Sequence, residues 1–185
     1  QDAAPRVRCR VVRGAEPTVK AERQSGLTDL GVFVGTADVA NYSTIRLRSK
    51  DVWGVLTRKD GPFAGKTRLE AKDLVNEPIL CSSQAFERNE FAGWLHYLAE
   101  DLRIVGTFNL LYNAYLFAEA GVGHVLALRG IVNPEPESGV VWLPLYPKLE
   151  AEVVVAWEKN RRLTKPVQML LDFLREEEAA LGPLE

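Results

Sequence analysis

The chain has 185 residues, 46% hydrophobic and 26% charged, with a formal net charge of −2. That balance fits one domain or two small lobes and argues against a general nucleic-acid surface, which needs a basic surplus on some face. No apolar run approaches the roughly 18 residues of a membrane span. Cys9 and Cys81 lie in unrelated contexts, a usage that fits a reducing compartment better than a disulfide scaffold. The chain begins with Gln1 rather than Met, so it is expected to be a piece of a longer protein, and the lack of a signal peptide says nothing about export.

In chain order, "RVRCRVV" puts Val7, Cys9 and Val11 on one face and Arg6, Arg8 and Arg10 on the other, the pattern of a half-buried strand. In "EPTVKAERQSG", Pro17 suits a first helical turn and Gly26 its end. "DLGVFVG" reads as a buried strand closed by Gly35. "TIRLRSKDVWGVLTRKDG" reads as two strands around a Ser49–Asp51 turn. "EAKDLVNE" predicts a short helical turn and "PILCSSQ" a strand with a polar end. "AFERNEFAGWLHYLAED" predicts one amphipathic helix carrying Phe91, Trp94, Leu95 and Leu98 on its apolar face. There follow a strand over 102–106, a helix over 109–120, strands at 123–128, 140–145 and 152–157, and a last helix from Lys165 to Ala180. "NPEPESG", residues 133–139, is a surface excursion. Strands alternating with helices predict an α/β fold with largely parallel sheets and right-handed crossovers.

In open α/β sheets ligands gather at the C-terminal ends of the strands. Those ends here are "VGTA" (34–37), "CSSQ" (81–84), "GTFN" (106–109) and the "GVGH" turn (121–124). Asn109 suits an N-cap, with Asn113 on the same side one turn later, so the polar mouth of this helix is either a cap or a small-ligand cradle. "DGPFAGKT" is no phosphate loop: three residues rather than four separate Gly61 from Gly65, and Pro62 removes an amide the cradle would use. His96 and His124 lack partners at metal-ligand spacing. His96 reads as a boundary residue; His124, at a strand start, either borders a pocket or plays a structural part. No G-x-S-x-G elbow occurs, and neither Cys81 nor any serine has a base partner at sequence level. The residues therefore point to no enzyme, no metal and no cofactor. The row Arg6, Arg8, Arg10 and Arg13 suits phosphate, or a solvated or subunit-facing strand.

The segments "GLTDLGVFVG", "YSTIRLRSKDVWGVLTRKDGPFAGKTRLEAKDLVNEPILCSSQ", "TFNLLYNAYLFAEAGVGHVLAL" and "LPLYPKLEAEVVVAWEKN", in this order and spacing, resemble the effector-binding domain of bacterial LysR-type transcriptional regulators. The patterns D-x-W-G-V-L-x-R-K-D and N-L-x-Y-N-A narrow the resemblance to a subgroup, and it runs over residues 5–175. It implies an α/β fold of the type II periplasmic-binding-protein kind: two α/β lobes joined by two crossing strands, with a small molecule bound between them. Lobe I would comprise 1–58 plus 157–185 and lobe II 59–156. A winged helix-turn-helix, its linker helix, and the domain's own first strand and most of its first helix would lie outside this chain.

The function implied is ligand sensing and oligomerisation in a cytoplasmic regulator. Such a protein is a homodimer or tetramer that touches DNA only through the helix-turn-helix and has no membrane partner. The solute-binding component of a transporter shares the fold and is the alternative; an enzyme on this fold is a third reading. A small acidic or amphipathic effector is expected at Ser82, Ser83, Gln84, Thr107 and Asn109, with Thr36 facing them from lobe I and His124 at the border. The resemblance also implies antiparallel dimers in which the early arginine strand meets a lobe II helix, read here as "FERNE" with Glu87 and Glu90.

Overall fold

The computed structural model describes residues 7, 8, 10, 11, 28–35, 38–95 and 101–181. Its elements in chain order begin with β1 (Gly31–Val34) and β2 (Tyr42–Arg58), a 3₁₀ turn at Ala71–Asp73 and β3 (Pro78–Ser82). They continue with α1 (Ser83–Glu87), α2 (Ala92–Leu95), β4 (Arg103–Phe108), α3 (Leu111–Glu119), β5 (His124–Leu128), β6 (Val140–Pro144), β7 (Glu150–Glu158) and α4 (Lys165–Ala180). The chain divides into two units: one holds the described residues up to Ser49 and from Glu152 onward, the other Lys50–Ala151. Both divisions fall inside strands, at 49/50 in β2 and at 151/152 in β7.

The expected turn at Ser49–Asp51 is absent, because β2 runs through it unbroken for 17 residues. Up to Ser49 the strand alternates, with Ile45 and Leu47 packed toward Val155, Trp157 and Leu171 and Arg46 exposed in a 2.7 Å pair with Glu152. From Trp53 to Thr57 every residue is buried. The polar stretch marks a change of surroundings along one strand, with Lys50 paired to Glu150 on β7 at 3.5 Å.

In the first unit β1 lies antiparallel to β7, Gly31 opposite Ala156 and Val34 opposite Val153, and β7 has β2 on its other side. β1 is half-buried rather than buried: Phe33 points inward and Val32 is exposed. Helix α4 has Thr164 as its N-cap residue and a proline in its first turn, where the missing amide costs no hydrogen bond. Val167, Leu171 and Leu174 form its inward stripe. The expected strand over "RVRCRVV" is not assigned at residues 7, 8, 10 and 11, and Val11 is exposed. Alternation marks which face a strand would bury; it supplies no neighbouring edge to bond. Arg6, Cys9, Arg13, the helix expected over "EPTVKAERQSG", His96 and Leu98 lie outside the described residues.

In the second unit the strands lie in the order β6-β2-β5-β3-β4. The sheet is mixed rather than largely parallel: β3 runs parallel to β4 and β5, while β2 is antiparallel to β5 and β6. Leu56, Leu80, Val125 and Ala127 on one face meet Leu111, Ala114 and Ala118 of α3. The helix expected over 85–101 starts earlier, at Ser83, and breaks after α1, where Asn89 takes a left-handed φ of 53°. The apolar positions are nonetheless inward: Phe91 packs edge-on against Trp53 at 4.8 Å, and Trp94 Nε1 donates to Pro147 O at 2.7 Å.

Gly54 sits in the middle of this sheet under the Trp142 indole, whose own Nε1 donates to Ala127 O at 3.2 Å. A Cβ at Gly54 would lie 2.5 Å from the Leu143 carbonyl oxygen and closer still to the indole ring. Overpacking of this kind costs about 1–3 kcal/mol. Gly54→Ala is therefore expected to lower the melting temperature by several degrees in a thermal unfolding scan, whereas Gly93→Ala, whose Cβ meets nothing within 4 Å, is expected to cause little loss.

Candidate functional site

The parallel pair β3–β4 brings two of the expected polar segments together at its C-terminal end. Cys81 lies opposite Thr107 and Ser82 opposite Phe108. The Ser83 hydroxyl donates to Phe108 O at 3.4 Å, tying the two strand ends to each other. Ser82 is the N-cap of α1, its Oγ accepting from the Ala85 amide at 3.1 Å. One first-turn amide of the five-residue helix that begins there is thus met by its own chain.

The next helix is different. Its N-cap residue is Leu110, not Asn109, and no side chain caps it; the Asn113 amide donates to Leu110 O at 3.1 Å, and the helix start presents its partial positive charge at this end of the sheet. Thr107 and Asn109 are exposed and Gln84 half-buried, and among the described residues no hydrogen bond holds their side chains. Asn113 is exposed as well. The arrangement offers hydroxyl and amide groups beside uncapped helix amides, a chemistry suited to a small polar or anionic group. Thr36 lies outside the described residues.

His124 is not part of this cluster. It pairs with Ile79, three residues along β3 from Ser82 and therefore about 10 Å toward the other end of the sheet. There it is buried: Nδ1 meets Thr57 Oγ1 at 2.7 Å, Nε2 meets Glu77 Oε2 at 3.3 Å, and the ring lies 4.6 Å from that of Phe63. Burial holds its pKa below the ordinary 6.5, against the opposing pull of Glu77. Cys81, adjoining the cluster, is buried too, and burial pushes its thiol up to about 11; a thiol so far from ionisation is no nucleophile at neutral pH.

A groove of about 570 Å³ opens elsewhere on the second unit, walled by Trp94, Leu95, Tyr146, Pro147 and Leu149 with Lys72 at its rim. None of the expected residues lines it. Sequence reasoning missed it because its walls come from separate segments, each of which looks like ordinary core or loop. Two contacts hold its aromatic walls: the Trp94–Pro147 bond and the Arg68 guanidinium 3.8 Å over the Tyr146 ring. Among the described residues no helix is long and apolar enough to cross a membrane.

The family model of the LysR substrate binding domain matches residues 1–179, and the chain belongs to that family. Its fold is accordingly the periplasmic-binding-protein-like α/β fold. Similar solved structures include HinK, a LysR family transcriptional regulator from Pseudomonas aeruginosa, at 23% identity and a TM-score of 0.78 over 95% of this chain and 62% of HinK. The C-terminal domain of a probable LysR family transcriptional regulator from a Rhodococcus species matches at 20% identity and a TM-score of 0.78, over 94% of this chain and 87% of that one. The regulatory domain of Synechocystis CcmR, solved in complex with 2-PG, matches at 18% identity and a TM-score of 0.71, over 87% and 78%. This chain thus spans 62% of the length of HinK. Comparison with curated proteins found no match.

Two outcomes follow from this geometry. Ser82→Ala removes a helix cap and should cost about 1 kcal/mol, whereas Asn109→Ala should stay within about 0.5 kcal/mol; chemical denaturation of both variants checks the difference. The second concerns pH. Because the neutral His124 ring is favoured in the folded chain, the unfolded chain takes up a proton that the folded chain refuses as pH falls through the ordinary histidine value. Stability should therefore drop between about pH 7.5 and 5.5, and His124→Gln should flatten that slope in melting curves recorded across the range.

Proposed function

We propose that this chain is the ligand-sensing and oligomerising part of a LysR-type transcriptional regulator, with its effector held at the C-terminal end of β3 and β4. The observation that carries this reading is the convergence of Gln84, Thr107 and Asn109, without internal partners, beside the uncapped start of α3. Side-chain hydroxyls and amides next to free backbone amides bind a carboxylate or phosphate without a buried arginine. The effector is accordingly a small acidic or amphipathic molecule. The regulator works in the cytoplasm and has no catalytic activity of its own; contact with DNA is made by a helix-turn-helix outside this chain. Membership of the LysR family supports a regulator over the solute-binding component of a transporter.

The test is a thermal-shift screen against small carboxylates, phosphorylated metabolites and amphipathic acids. A ligand at about 100 times its dissociation constant adds roughly 2.7 kcal/mol, a rise of about 5–10 °C at roughly 2–4 °C per kcal/mol for a chain of this size. Thr107→Val and Asn109→Ala are expected to remove that rise while moving the unliganded melting temperature little. A rise that persists in both and disappears in Tyr146→Ala would place the ligand in the Trp94 groove and overturn this assignment.

A further inference from the structure

The groove beside Trp94 is a built concavity that the effector reading leaves unused. Its two sides are tied by main-chain bonds. The Leu69 amide donates to Pro144 O at 2.9 Å and the Tyr146 amide to Leu69 O at 2.7 Å, which fixes the segment carrying Glu70 and Lys72 beside Tyr146. Leu149 is anchored through its carbonyl, which accepts from the Trp53 amide at 2.9 Å. Trp94 and Leu95 are buried, and the indole Nε1 already donates to Pro147 O at 2.7 Å. Tyr146 stays 45% exposed, with the Arg68 guanidinium 3.8 Å over its ring. Gly93 lines the groove without a side chain, and a Cβ there would meet nothing within 4 Å. The resulting space of about 570 Å³ falls inside the roughly 300–1,000 Å³ of small-molecule sites.

We propose that this groove is a second small-molecule site and that its ligand is an uncharged, planar aromatic molecule. The walls are an indole, a phenol ring, a proline ring and two leucine side chains, flat and aliphatic surfaces that an aromatic ring covers by offset stacking or edge-on contact. The indole N–H is spent within the protein, so it offers a ligand no donor. Charge around the groove cancels. Glu70 and Glu90 bring two carboxylates, while Lys72 at the rim and Arg68 over the Tyr146 ring bring two cations; Lys72 and Glu70 pair with each other at 2.8 Å. A charged group on the ligand therefore meets no net opposite charge, and burying it without a partner costs solvation. The β3–β4 end has the opposite character, with hydroxyls, amides and a helix start that suit an anion. Because the walls are fixed before any ligand arrives, little side-chain freedom is lost on binding. The site does not depend on the effector assignment above.

Isothermal titration calorimetry of the chain with three matched probes tests this: naphthalenemethanol, which is neutral, naphthoate, which is anionic, and naphthylmethylamine, which is cationic at pH 7. The neutral probe should bind with a dissociation constant below about 1 mM, and neither charged probe should bind more tightly. Tyr146→Ala, which removes a wall, and Gly93→Leu, which fills the space, should each weaken the neutral probe roughly tenfold or more. Thr107→Val should leave its affinity unchanged. Intermolecular nuclear Overhauser effects on the unmutated chain give a readout independent of variant folding: the probe's ring protons should contact the Trp94 indole and the Tyr146 ring. No binding at about 1 mM overturns the proposal. So does affinity unchanged in both groove variants, contacts found only elsewhere, or a charged probe that binds roughly tenfold more tightly than the neutral one. Acid binding at the β3–β4 end is read separately by the thermal-shift screen and by Thr107→Val, so failure of one proposal is distinguishable from failure of the other.

Discussion

Everything in this molecule is organised by a strand that has to satisfy two different surroundings. Up to Ser49, β2 alternates half-buried apolar residues with exposed ones such as Arg46, as a strand with one covered face must. From Trp53 to Thr57 it is buried throughout, flanked by β5 and β6. Side chains on both faces must then be apolar or internally bonded. Thr57 meets that condition through His124, and Gly54 meets it by leaving room for an indole. β7 shows the same change in the same chain order, alternating at Glu150, Ala151 and Glu152 and then buried from Val153 to Trp157.

That switch of period explains which parts of the fold were legible in the sequence. The pattern changes at Ser49–Asp51, and a reading by period alone inserts a turn there; the strand nonetheless runs through it unbroken. The strands at 78–82, 124–128 and 140–144 and the helix from Lys165 to Ala180 were readable because each carries one period and clear boundaries. The break at Asn89 was not, since the apolar spacing of Phe91, Trp94 and Leu95 continues in phase across it, and only the left-handed backbone of Asn89 ends the turn. The mixed direction of the second sheet was hidden for a similar reason: alternation of strands and helices fixes neighbours along the chain, while direction depends on which edges pair.

The candidate site divides in the same way. The polar residues after β3 and β4 announced themselves as breaks in apolar runs, but their duties did not. Ser82 turned out to cap α1, and Asn109, which looks like a cap, stands one residue before the capping position. His124 carried the right chemistry for a pocket and sits at the far end of the strands, because its place is set by the pairing of β5 with β3 rather than by the glycine before it. The family match supplies the class of protein and the fold.

The most direct measurement is nuclear magnetic resonance shift mapping of the ¹⁵N-labelled chain during titration with a ligand from the thermal screen. The account predicts that the largest amide shifts fall on residues 82–84 and 107–112, with the groove around Trp94 and Tyr146 little affected. Large shifts confined to residues 70–72, 93–95 and 146–149, with the β3–β4 end unchanged, would contradict it.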